Sequence, residues 1–111
     1  MGQQLAVPLD KLVTTTMASG GLSLTLTEAV SWEQFPEYVV AIAEILDAEI
    51  DVRVDGVTER VWQFSVDGLG YWIVLEDFGL GVCIDSQDSA ASAAIPRIRE
   101  RLLSWREQHA A

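Results

Sequence analysis

Val61-Trp62-Gln63-Phe64-Ser65-Val66-Asp67-Gly68-Leu69-Gly70-Tyr71-Trp72-Ile73-Val74-Leu75-Glu76 decides how this chain folds. Two runs rich in β-branched and aromatic residues flank Asp67-Gly68. That pair tolerates positive φ at both positions, which suits a two-residue hairpin turn. A turn of this length sets the register, with Val66 opposite Leu69, Phe64 opposite Tyr71 and Trp62 opposite Ile73. Opposed residues leave a sheet on the same side. One side therefore carries Trp62, Phe64, Val66, Leu69, Tyr71, Ile73 and Leu75, an apolar surface that has to be buried. The other carries Val61, Gln63, Ser65, Gly70, Trp72, Val74 and Glu76.

The neighbouring segments extend this hairpin into a meander. Upstream, Glu49 to Val54 alternates, with Ile50, Val52 and Val54 apolar, and Asp55-Gly56 begins a turn. Downstream, Asp77-Phe78-Gly79 leads into a strand from Leu80 to Asp85. Leu22-Ser23-Leu24-Thr25-Leu26-Thr27 alternates strictly and reads as a further half-buried strand. Between it and the meander, Ser31-Trp32-Glu33-Gln34 fits a capping box. Phe35, Val39, Ile42 and Leu46 then follow as one helical stripe ending near Asp47 or Ala48. A last helix runs from about Asp88 to Glu107, with Ile95, Ile98, Leu102 and Trp105 inward and Pro96 predicting a kink or a break. The order strand, helix, four-strand meander, helix predicts an α+β two-layer sandwich. Its antiparallel sheet would have about five strands, with two helices on one face and the other face open. Residues 22–108 form the single domain. Residues 1–21, with three threonines and Ala18-Ser19-Gly20-Gly21, read as a flexible or partly ordered extension. Leu5, Val7, Leu9, Leu12 and Val13 offer it a short strand or turn.

Composition narrows the function classes. Of the 111 residues half are apolar and 22% charged, a globular balance sufficient for one core. No apolar run nears the ~20 residues of a membrane-spanning helix, and the start of the chain lacks a signal-peptide layout. The single cysteine, Cys83, cannot form an internal disulfide. These features predict a cytoplasmic protein. Seventeen acidic against seven basic residues give a formal charge of −10, which disfavours nucleic acid and anionic membranes and favours a basic protein partner. Arg97, Arg99, Arg101 and Arg106 stand out against this background. Arg97 and Arg101 are candidates for a secondary surface, unless the stripe covers the acidic body of its own chain.

Catalytic groups are sparse. His109 lies three residues from the end, and Cys83 sits in a strand with no histidine near it in sequence. Asp47, Glu49 and Asp51, and Glu76 with Asp77, occupy turn positions where carboxylates are ordinarily solvated. Glu76, Asp77 and Asp85 lack calcium-loop spacing. Asp77-Phe78-Gly79 spells the kinase magnesium tripeptide without the rest of that signature. Gly68-Leu69-Gly70 and Gly79-Leu80-Gly81 lack the third glycine of a dinucleotide loop and lead into strands. The expectation is no catalytic residue, no metal and no cofactor. What remains is the second side of the hairpin, where Trp72 beside Val61 and Val74, with Gln63 and Glu76 around them, makes a partner-binding patch. The N-terminal extension folding over it, or a homodimer formed through it, are the competing readings.

Through Ser31-Trp32-Glu33-Gln34-Phe35-Pro36, Val61-Trp62, and Leu75-Glu76-Asp77-Phe78 with Gly81, the chain resembles a small uncharacterised bacterial protein family over roughly residues 22–105. It is also similar in layout to the small acidic immunity proteins that neutralise toxins of competing bacteria. The resemblance implies an α/β sandwich that works by contact, and carries no catalytic residue with it. The expected function is thus a non-enzymatic protein-binding module, an inhibitor or immunity protein. The alternatives are a small acidic secretion-type chaperone and an enzyme using surface carboxylates.

Overall fold

A computed structural model describes residues 7–76 and 81–109. The Asp67-Gly68 turn forms as the sequence requires, with φ of 52° and 79°. It joins β4 (Glu59–Val66) to β5 (Leu69–Glu76), and the pairs Trp62–Ile73, Phe64–Tyr71 and Val66–Leu69 are those expected. β3 (Glu49–Asp55) pairs with β4, and β6 (Gly81–Ser86) pairs with β5. The expected first residue of that last strand, Leu80, and the Asp77-Phe78-Gly79 connection lie outside the described residues. Gly81 has φ of 78°, and a Cβ there would collide with the Thr27 carbonyl oxygen, so only glycine fits.

The sheet has six strands rather than about five, all antiparallel, in the order β1-β2-β6-β5-β4-β3. The added strand is β1 (Val13–Thr16), which pairs with β2 (Leu22–Thr27). Its β-branched threonines suit a pleated edge. The Ala-Ser-Gly-Gly run closes a turn instead of acting as a free linker: Met17 N–H donates to Gly21 O at 2.7 Å, and Gly20 sits at φ 92°. β3 also departs from simple alternation. A bulge between Ile50 and Val52 shifts its phase, so Ile50 pairs with Phe64 while Val52 and Val54 pair with Gln63 and Val61. The three apolar residues of β3 are therefore split between the two sides of the sheet.

α1 spans Phe35–Leu46 and α2 spans Ser89–Gln108. The Ser31–Gln34 box forms, with Gln34 N–H donating to Ser31 Oγ and Ser31 N–H donating to Gln34 Oε1. It closes a turn ahead of the helix, whose regular part begins one residue after the box at Phe35, with Pro36 in its first turn. α2 does not break at Pro96; it runs as one helix capped by Asp88, whose carboxylate accepts from Ala91 N–H at 2.8 Å. Phe35, Tyr38, Val39, Ile42 and Leu46 of α1 and Ile95, Ile98 and Leu102 of α2 share one buried cluster with Leu24, Trp62, Phe64, Tyr71, Ile73 and Ile84. Each such side chain contributes about 1.5–3 kcal/mol by leaving water.

Residues 7–12 join this core too. Leu9 and Leu12 are buried, and the segment is tied down by polar groups from three elements. Tyr38 Oη donates to Pro8 O at 2.7 Å, Thr27 Oγ1 donates to Asp10 Oδ1 at 2.6 Å, and Arg99 Nε and Arg106 Nη1 donate to the carbonyls of Leu12 and Leu9, each at 2.8 Å.

Candidate functional site

Strand alternation gives the sheet a second set of side chains, and the bulge in β3 completes it. Two rows of directly opposed residues cross all six strands. Val54, Val61, Val74, Cys83, Thr25 and Val13 make the first; Val52, Gln63, Trp72, Asp85, Ser23 and Thr15 make the second. Trp72, Val52, Val13 and Val54 keep 41% to 55% of their surface exposed, while their sequence neighbours Tyr71 and Ile73 keep none. The predicted residues Val61, Gln63, Trp72, Val74 and Glu76 are thus brought together on β4 and β5, two strands of a wider surface. Val13, Val52 and Val54 are additions that sequence reasoning missed, because neither β1 nor the bulge was evident.

This set of residues is acidic at its margins. Glu49 lies opposite Ser65, Glu59 is directly opposed to Glu76, and Asp85 lies between Trp72 and Ser23. No lysine or arginine occupies a paired position on it among the described residues. Two carboxylates directly across a strand pair repel each other, so the Glu59–Glu76 pair favours a nearby cation. Asp85 accepts from Ser23 Oγ at 2.6 Å. Cys83 lies half-buried within the first row, its thiol 3.5 Å from Thr25 Oγ1. Burial pushes its pKa up, so it stays a neutral thiol.

The basic residues of the sheet stand on the core side, at one corner. Arg60 Nε donates to Asp55 Oδ1 at 2.7 Å, and its Nη1 donates to Trp32 O at 2.6 Å. Trp62 Nε1 donates to the same Asp55 oxygen at 2.9 Å. The Arg60 hydrogen bond, then that from Trp62, hold the Asp55 carboxyl below its ordinary range. Arg53 stacks 4.8 Å over the Trp62 ring, which meets Phe35 edge-on at 5.3 Å. This corner fastens β3 and β4 to the start of α1.

The arginines of α2 are mostly engaged with the chain itself. Arg101 Nη2 donates to Leu46 O at the end of α1 at 2.8 Å and its Nη1 lies 3.7 Å from Asp67; Arg99 and Arg106 hold Leu12 and Leu9. Arg97 is exposed beside a shallow hollow lined by Tyr71, Asp67 and Arg101. His109 caps α2 and stacks on Trp105 at 4.2 Å. Its hydrogen bonds go to the Trp105 and Arg106 carbonyls, and the Cys83 thiol contacts Thr25. Among the described residues, no group of three His, Cys, Asp or Glu side chains suited to a metal occurs and no helix is long and apolar enough to cross a membrane.

No curated protein and no solved structure matches this chain. A family model described as a protein of unknown function, DUF3630, matches residues 12–97, from the start of β1 to the middle of α2. The match takes in every strand of the six-stranded sheet, and the chain belongs to that family.

Proposed function

We propose that the chain is a non-enzymatic protein-binding module whose contact surface is the second side of the sheet, with both helices over the first. The observation that carries this reading is the pair of rows crossing all six strands, apolar at Val54, Val61, Val74 and Trp72, with Val54 and Trp72 exposed and Val61 and Val74 half-buried. An exposed apolar surface of this extent, centred on tryptophan and ringed by polar groups, is characteristic of an interface. Its margins, Glu49, Glu59, Glu76 and Asp85, are of one sign, so the partner is a basic protein surface. A second copy of this chain is a poor fit, since two such faces would oppose like charges across the contact. The role is that of an inhibitor or immunity protein that covers a basic surface of its target in the cytoplasm.

The sheet edges support the face, rather than β-augmentation, as the place of contact. β3 carries a bulge and the inward-directed Arg53, and β1 is four residues long; both devices discourage strand addition. The test is capture from host lysate on immobilised wild type, Trp72→Glu and Val74→Glu, with light scattering on each. The reading expects one basic protein held by wild type, released as salt rises, and lost from both variants. Equal capture by all three proteins, or a wild-type dimer that the substitutions dissociate, would overturn it.

A further inference from the structure

A second apolar surface lies on the helices, away from the sheet face. Of the twelve residues of α1, only Glu37 and Glu44 are charged. Phe35, Tyr38, Val39, Ile42, Ala43 and Leu46 are spent on the core. The opposite flank is still apolar: Pro36, Val40, Ala41 and Ile45 line, with Val7 and Trp105, a groove of about 800 Å³. Val40 keeps 42% of its surface exposed. A surface helix of a globular protein normally pairs an apolar stripe with a charged opposite face; a helix apolar on both flanks is ordinarily buried on both.

Charge says what fits there. Glu37 and Glu44 both border the groove. They stand seven residues apart, two turns along the same side of α1 and about 10 Å apart along its axis. Among the described residues neither has an ion-pair partner. An antiparallel or parallel helix laid beside α1 would present residues at the same seven-residue spacing.

We propose that this groove receives an amphipathic helix from a partner protein, its apolar stripe on Val40, Ala41, Ile45 and Trp105 and its lysines or arginines seven residues apart beside Glu37 and Glu44. The surface is separate from the sheet face, so the two readings stand or fall independently. The floor of the groove lies within the family match, whereas Val7 and Trp105 lie outside it.

The probes are two synthetic amphipathic helical peptides with the same leucine stripe, one with lysines at seven-residue spacing and one with glutamates in their place. Each is titrated by fluorescence anisotropy into the full chain, Val40→Glu, Glu37→Lys/Glu44→Lys and Trp72→Glu. All substituted positions are exposed, and far-UV circular dichroism confirms that each variant is folded. The lysine peptide is expected to bind wild type and Trp72→Glu alike, and to bind Val40→Glu at least tenfold more weakly. The double charge reversal is expected to exchange the preference toward the glutamate peptide. Failure of wild type to bind the lysine peptide, equal binding of both peptides, or binding unchanged by Val40→Glu and by the charge reversal would each overturn the proposal.

Discussion

Trp72 and Ile73 are adjacent in sequence and opposite in circumstance. Ile73 is fully buried between Trp62 and Ile84, whereas Trp72 keeps 41% of its surface between Gln63 and Asp85. The same contrast runs along β4 and β5: Trp62, Phe64, Tyr71, Ile73 and Leu75 share the buried cluster with helical residues, whereas Val61, Gln63, Val74 and Glu76 are half-buried and Trp72 is exposed. In a strand, burial is assigned by parity, so buried and more exposed residues interleave one by one. Two adjacent apolar side chains therefore differ in burial, and substitution separates them.

The largest separation is expected from Ile73→Ala, which leaves a cavity in the core and lowers unfolding free energy by about 2–5 kcal/mol in urea titration. Trp72→Ala removes a side chain that is only partly covered, and its effect is expected within about 1 kcal/mol. Equal losses from the two would break the contrast.

A smaller loss tests the corner that anchors the packed side. Arg60→Ala leaves the Trp32 carbonyl with only the longer 3.4 Å bond from Phe35 N–H and removes the guanidinium from among Trp32, Phe35 and Trp62. The expected cost is about 1–3 kcal/mol. Asp55→Asn probes the same corner by pH. Because the folded state holds the Asp55 carboxyl below its ordinary 3.8, its stabilisation is present above that value and is lost as pH falls through the lower folded-state value. Wild type should lose stability over this acid range by a margin that Asp55→Asn lacks; parallel acid limbs would show that the carboxylate contributes nothing.

How much of this was legible in the sequence depends on whether a local signal existed. Asp67-Gly68 carries its own turn chemistry, so the β4–β5 register and both of its faces could be read directly, including the grouping of Val61, Gln63, Trp72, Val74 and Glu76. The bulge after Ile50 has no compositional mark: Glu-Ile-Asp-Val-Arg-Val alternates perfectly, and only pairing with β4 reveals that Val52 and Val54 join the other side. β1 was obscured because the glycines beside it read equally well as a linker. The arginines of α2 read from sequence either as a secondary surface or as a stripe over the chain's own body, and Arg99, Arg101 and Arg106 donate to carbonyls 55 to 97 positions away. Contacts of that range are made by the assembled fold and leave no trace in local spacing. Pro96 is a further case, since it predicts a kink or a break from sequence while α2 continues through it as one helix.

The central claim is that the second side of the sheet meets another protein. It is tested most directly by site-specific photocrosslinking in the native host from position 63, between Val52 and Trp72 on that side, with position 28 as an exposed reference elsewhere. A single crosslinked species, a basic protein, is expected from position 63 and none from position 28. Crosslinks from position 63 only to a second copy of this chain, or none at all, would contradict it.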